Sequence, residues 1–307
     1  MFVIGGDPRL CLTLSRWGES WWTHLGIVAG TGGGRAAPAS HSQICDRLAV
    51  NPERKILTHL LEARGLVKNY GHVEVLRGTD FVVDAGQVVA LIGDNGAGKS
   101  TLVKILSGVI QPDGGEILLN GNPVVFKSPI HARKFGIETV YQDLALAPDL
   151  GPAENAYIGR ELLRPGFLGK LGVLDKARML REAAETFTSL GTDVKDLDAP
   201  VAALSGGQRQ SVAICRAVMW AKGLVFMDEP TAALGVRQTR RVLDLIRRVA
   251  DSGIAVVLIS HNMPEVMEVA DSIQVLRLGK TAAHFTAEDA DLDKLVGAMT
   301  GSIEVIA

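Results

Sequence analysis

The sequence predicts an α/β fold with a mostly parallel central sheet covered by helices on both faces. Three observations predict it. Short apolar, β-branched runs recur at residues 88–92, 224–227 and 254–259, each the length of a fully buried strand. Helical stretches alternate with them, at 102–106, 238–249 and 264–270, which is the order of a two-sided parallel sheet. A glycine-rich loop joins the first of these strands to the first of these helices.

Composition sets the bounds. The chain has 307 residues, room for one large or two modest domains. Nearly half of the residues are apolar, so a sizeable core can be buried. The formal net charge of −2 argues against a basic nucleic-acid surface, and no nucleic-acid partner is expected. Cys11, Cys45 and Cys215 are far apart and read as reduced thiols of a cytosolic protein. No run of about 18 apolar residues exists to span a membrane.

In chain order, residues 1–55 differ from the rest. They carry Trp17, Trp21 and Trp22, a glycine triplet, and a segment of linker composition, without a sustained period. They are expected to be a disordered extension or the product of a start codon assigned too far upstream. A signal peptide fits poorly. The expected domain covers 56–302. Its first strands are 60–67 and 79–83, and 116–119 is a third, followed by a hairpin signal at Asn120-Gly121. These supply an antiparallel β subdomain. Residues 136–141 read as a buried strand ending at Gln142.

Between Gln142 and Ser205 the pattern turns helical, at 153–160 and 175–190. In the second helix Leu180, Ala183, Ala184, Phe187 and Leu190 repeat at three and four. This is a helical insertion subdomain, about 143–219. The strand–helix alternation resumes after Trp220, closes with a strand at 272–278, and ends in a short helix at 291–299.

The chemistry concentrates at strand ends, where open α/β sheets place ligands. Gly93 opens G-x-x-x-x-G-K-S, ending at Gly98-Lys99-Ser100. Strand, glycine loop and helix together make a phosphate site, so the predicted fold is that of a P-loop nucleoside triphosphatase. Backbone N–H groups converge on phosphate without a Cβ in the way, and the helix N-terminus adds partial positive charge. Lys99 reaches the β- and γ-phosphates, and Ser100 offers a hydroxyl to Mg²⁺. An ordinary glycine turn is the alternative reading. Asp228 ends an apolar strand and is a candidate Mg²⁺ ligand. Glu229 is a candidate general base for an attacking water. Gln142 is a candidate for Mg²⁺ or for the water, and His261 for the γ-phosphate. Ordinary surface charge, or a structural role, is the alternative for each of these four.

Leu204-Ser205-Gly206-Gly207-Gln208 precedes another helix. Ser205 is a natural N-cap, and the two glycines expose N–H groups at a positive helix end. This is a second anion site in a chain with one nucleotide loop. A second copy of the protein is the simplest source of its phosphate.

In their order, Tyr70, the run G-D-N-G-A-G-K-S-T, Gln142, L-S-G-G-Q, L-V-F-M-D-E-P and Ser260-His261 resemble the ATP-binding subunit of ABC transporters, over roughly residues 57–300. The resemblance implies a head-to-tail homodimer with two ATP molecules and Mg²⁺ between the copies. One copy would supply Gly93, Asn95, Gly96, Ala97, Gly98, Lys99, Ser100, Thr101, Gln142, Asp228, Glu229 and His261. The other would supply Ser205, Gly206, Gly207 and Gln208. Tyr70 matches the aromatic that stacks on adenine, with Val75 its neighbour; a half-buried strand-end tyrosine is the alternative.

The stretches 137–146 and 228–236 resemble importers of simple sugars such as ribose, xylose or fructose. That implies a subunit peripheral on the cytoplasmic side of the membrane, paired with permease subunits. A periplasmic or lipid-anchored sugar-binding protein would act indirectly. Gly235 stands where the broad family often has aspartate. Leu144, Leu146 and Leu150 are candidates to dock the permease, or else belong to the helical core. The rival function is a soluble ABC ATPase acting on nucleic acid, ribosomes or cofactor assembly. The gap from Gln142 to Ser205, about 60 residues without heptads, speaks against the long coiled-coil insertions of its DNA-repair members.

Overall fold

The computed structural model describes residues 59–192 and 194–303. The expected N-terminal extension, 1–55, lies outside them, as do Cys11 and Cys45.

Two sheets carry the described chain. The larger has the strand order β10-β9-β3-β8-β7-β6. Its strands are β3 (Val88–Ile92), β6 (Ile137–Val140), β7 (Leu224–Asp228), β8 (Ala255–Ile259), β9 (Ser272–Arg277) and β10 (Lys280–Thr286). All pairs are parallel except β10 with β9. The continuous apolar runs follow from burial on both faces. Val88, Ala90 and Ile92 enter one core while Val89 and Leu91 enter the other, and β7 and β8 alternate in the same way.

The smaller sheet, order β2-β1-β4-β5, is antiparallel. It comprises β1 (Leu61–Tyr70), β2 (Val73–Val83), β4 (Gly114–Leu119) and β5 (Asn122–Pro123). Asn120 and Gly121 both take positive φ, 51° and 75°, the two-residue turn that the strand twist favours. With helix α1 (Lys99–Leu106) and α2 (Pro129–Lys134) this sheet builds the second core through Leu61, Leu66, Phe81, Leu102, Leu106 and Ile117.

The helices α3 (Pro152–Tyr157), α4 (Phe167–Lys170), α5 (Lys176–Ser189) and α6 (Gly206–Trp220) form the insertion. With α7 (Val236–Asp251), α8 (Met263–Val269) and α9 (Leu292–Thr300), the helices α3, α5 and α6 pack on the first core, while α4 buries no side chain. Tyr157 meets Trp220 edge to face at 5.4 Å and donates from its hydroxyl to Glu182 at 2.6 Å.

The sequence reading missed α2, α4 and β10 and began β2 six residues late. β10 lacks a long apolar run because only Ala283 and Phe285 are buried. On α5 the buried face is Met179, Ala183 and Phe187, with Leu190 just beyond; Leu180 and Ala184 sit at its half-buried margin. Leu144 and Leu146 are half-buried against the helical core, so the core alternative holds for both, and Leu150 stays exposed.

Candidate ATP-binding site

The phosphate loop is shaped by what closes around it. Gly93 has φ 150°, and a Cβ there would lie 2.1 Å from the Leu276 carbonyl oxygen. Gly98 has φ 108°, and a Cβ there would meet Leu76 Cδ2 at 2.7 Å and the Val75 oxygen at 3.1 Å. Only glycine fits at either place. Gly279 ties the surroundings together: its N–H donates to the Ala97 oxygen at 3.0 Å, and its own oxygen accepts from Arg77 N at 2.7 Å. The antiparallel sheet is thereby fastened to the loop through β2.

Gly98 is the N-cap of α1 and offers no side-chain cap, so first-turn N–H groups remain for an anion. The Lys99 ammonium donates to the oxygens of Gly93 at 2.6 Å and Asp94 at 3.0 Å, across the loop. Burial draws the Lys99 pKa below the ordinary lysine value, against the opposing pull of Glu229, Asp94 and Asp228. Asp94, Asn95, Gly96 and Ser100 are exposed, Ala97 and Gly98 are buried, and Thr101 is half-buried.

The other strand ends arrive by register. Val140 is opposite Met227, Asp228 is opposite Ile259, and Leu91 is opposite Ile259. Parallel strands in this alignment bring Gly93, Gln142, Asp228, Glu229 and His261 to one edge of the sheet. Burial raises the Asp228 carboxyl above its ordinary value and Glu229 adds to the rise, while Lys99 and Lys104 oppose it. Glu229 sits at φ 49°, a strained conformation outside glycine. Its N–H donates to the Ile259 oxygen at 2.9 Å, and its Oε1 lies 2.7 Å from His261 Nδ1. The Gln142 side chain is exposed and makes no hydrogen bond among the described residues.

Tyr70 ends β1, pairs with Val73 and is about half exposed, with Lys68 Nζ 5.9 Å from its ring centroid. Val75 contributes its carbonyl to the wall behind Gly98.

Ser205 caps α6 reciprocally: Gln208 N donates to Ser205 Oγ at 3.3 Å, and Ser205 N donates to Gln208 Oε1 at 3.0 Å. A Cβ at Gly207 would stand 3.0 Å from Gln238 Cβ, so α6 begins close against α7. No hydrogen bond or ion pair among the described residues joins 204–208 to the phosphate loop.

A family model described as "ABC transporter" matches residues 76–232. The chain is 49% identical over 247 residues to a fructose import ATP-binding protein of Rhizobium meliloti, covering 80% of this chain and 95% of that one. It is 44% identical over 244 residues to a xylose/arabinose import ATP-binding protein of Sulfolobus acidocaldarius, with the same coverage. A solved ATP-binding cassette of an ABC transporter, in its ADP conformation, superposes with TM-score 0.68 at 26% identity, over 79% of this chain and 99% of that one. The chain belongs to the ABC transporter family. Within that family it is an ATP-binding, ATP-hydrolysing cassette, and no described helix is long and apolar enough to cross a membrane.

As an ABC cassette it presents residues that fit a nucleotide and its Mg²⁺. The cradle at Gly93 and Gly98 admits backbone but no side chain. Asp228 is a half-buried carboxylate held above its ordinary pKa beside Glu229, a donor set that a hard cation relieves. The departure at Gly235 is structurally open. It has φ −76° as the N-cap of α7, and nothing lies within 4 Å of a Cβ there.

Three side chains escaped the sequence reading. Asn155 is buried, accepts from Ala147 N at 2.8 Å and donates to the oxygens of Ala147, Leu150 and Gly151. Arg216 donates from α6 to the oxygens of Leu144 at 2.7 Å and Ala145 at 2.6 Å, both residues with positive φ. Together they hold the chain that follows Gln142. The available signal for Arg216 was a lone cation inside an apolar helix run. Glu265, the third, joins two loops of the site.

Proposed function

We propose that this chain is the ATP-hydrolysing subunit that powers import of a small sugar through a membrane permease, acting as a head-to-tail homodimer on the cytoplasmic side of the membrane. The 49% identity to a fructose import subunit, across 95% of that relative, carries the reading of the substrate class.

In this reading Gly93, Asn95, Gly96, Ala97, Gly98 and Thr101 wrap the phosphates with backbone N–H groups. Lys99 binds the β- and γ-phosphates, and Tyr70 stacks on adenine. Ser100, Asp228 and Gln142 would hold Mg²⁺, which would offset the phosphate charge. Glu229 takes a proton from water as it attacks the γ-phosphorus, the bond from that phosphorus to the β–γ bridging oxygen breaks so that ADP leaves, and His261 holds Glu229 and bonds the γ-phosphate. Ser205, Gly206, Gly207 and Gln208 of the second copy close on the same phosphate. ATP shifts the open–closed equilibrium by binding the closed pair better. Loss of the γ-phosphate removes the bridge, and the pair relaxes. The region after Gln142 docks the permease, with Leu150 the exposed apolar contact; a periplasmic or lipid-anchored sugar-binding protein selects the cargo.

The test is purification of the tagged chain from detergent-solubilised membranes of its native cell. A co-purifying multi-span permease supports the reading. Recovery only from the soluble fraction, with ribosomes or assembly proteins, overturns transport.

A further inference from the structure

Glu229 and His261 lie on different loops, one after β7 and one after β8. The parallel ladder ends at Asp228 and Ile259; the Glu229 N–H adds one more bond, to the Ile259 oxygen at 2.9 Å, and that tie stops short of the His261 loop. His261 is 77% exposed at its side chain and its hydrogen-bond partner is Glu229. Something else must keep a mostly exposed ring at 2.7 Å from that carboxylate.

We propose that Glu265 is the positioning residue that locks the Glu229 loop to the His261 loop. This rests on the reading of Glu229 as the hydrolytic base. Glu265 lies in the first turn of α8. Its Oε2 accepts from the hydroxyl of Thr231, two residues after Glu229. Its Oε1 accepts from Asn262 Nδ2 at 2.7 Å, and Asn262 follows His261 directly. Asn262 is fixed in turn, its N–H donating to Ser260 Oγ at 3.1 Å. Thr231 is buried and Glu265 half-buried. One carboxylate thus spans both loops, with each oxygen committed to one of them. It touches no reacting group. Its effect passes through the Glu229–His261 contact, so it acts on the chemical step and leaves nucleotide binding to the phosphate loop.

The geometry also says which substitution is tolerated. The amide of Glu265→Gln keeps both arms: its oxygen accepts from Asn262, and its nitrogen donates to Thr231 Oγ once that hydroxyl turns. Glu265→Ala loses both arms, and Thr231→Val loses one without changing shape much. An acidic residue in a first turn also favours its helix. A purely helical role would be damaged by glutamine as well, and would appear as lost stability.

The experiment is ATP hydrolysis by the full chain with kcat and KM separated, alongside nucleotide affinity and thermal midpoint. Expected is a kcat about 10- to 100-fold lower in Glu265→Ala, as for a misplaced catalytic group, with ATP affinity unchanged. Thr231→Val should fall in the same direction, and Glu265→Gln should stay within about threefold of the parent. In single-turnover assays on a Glu229→Gln background, Glu265→Ala should add no further loss. Full additivity on that background, failure of glutamine to rescue, or lost ATP affinity at unchanged kcat overturns the proposal. A Glu265→Ala variant as active as the parent, while Glu229→Gln is inactive, overturns it alone. Turnover that survives Glu229→Gln removes the reading of Glu229 as base, and this proposal with it.

Discussion

The phosphate loop and the start of α6 are built in opposite ways. The phosphate loop is backed by packed chain: the Leu276 oxygen stands where a Gly93 Cβ would be, Leu76 backs Gly98, and Asp228 and Glu229 are held at the end of a buried strand. At the start of α6, Ser205 is exposed and its bonds run only to its own Gln208. One site has its lysine, carboxylates and histidine in place; the other has helix-end donors beside a groove that Arg241 and Arg248 also line. The difference teaches that the phosphate loop is wired by the core of one copy, and under the proposed function the α6 end would be completed by a second copy's nucleotide.

Glu229→Gln tests the wired half and carries the largest expected effect. Turnover should fall about 10²- to 10⁴-fold, the worth of a general base, with ATP affinity kept and an ATP-dependent pair of copies visible by size-exclusion chromatography. Lost affinity would instead assign Glu229 to phosphate binding. Gly207→Val tests the waiting half. The new Cβ crowds Gln238 at the start of α6, so turnover should drop about tenfold or more, while a single copy binds ATP as before by isothermal titration. If monomer binding fails too, the two sites are not separate.

Asp228→Asn sharpens the comparison through pH. The Asp228 pKa is raised in the folded chain, so the folded state holds that proton more tightly than the unfolded one. Its contribution to stability is present at acid pH and is lost as pH rises through the raised pKa. Without nucleotide, Asp228→Asn should therefore raise the thermal midpoint at pH 7.5. The gain should shrink toward zero as the pH falls into the range where Asp228 is protonated. An equal gain at both ends would point to packing rather than charge. The smallest effect belongs to Gly235→Asp. The position is open and has negative φ, so chemical denaturation should show a change within about 0.5 kcal/mol, and any change in turnover would then report on contact between copies.

The legible parts of the molecule were those with a strong local signal. The strands β3, β7 and β8 are buried on both faces, and that leaves an unbroken apolar run. The phosphate loop and the α6 cap are contiguous motifs, each a backbone requirement written into adjacent residues. β10 and α2 were illegible because one is mostly exposed and the other is six residues long with one buried side chain. Asn155, Arg216 and Glu265 were illegible for another reason. Each works on a partner distant in the chain, or on a loop whose path no local pattern records, as Arg216 does 72 residues away at Leu144.

By itself, then, the sequence determined the α/β class, the nucleotide loop, the strand-end carboxylates and the capped start of α6. All of these depend on burial periodicity or on local backbone chemistry. Tertiary structure alone decided which strand ends lie side by side, that Leu144 and Leu146 belong to the core, and that one glutamate ties the Glu229 loop to the His261 loop. Those facts depend on sheet order and on packing between segments far apart in the chain. A hydrogen bond between two loops leaves no period in either one.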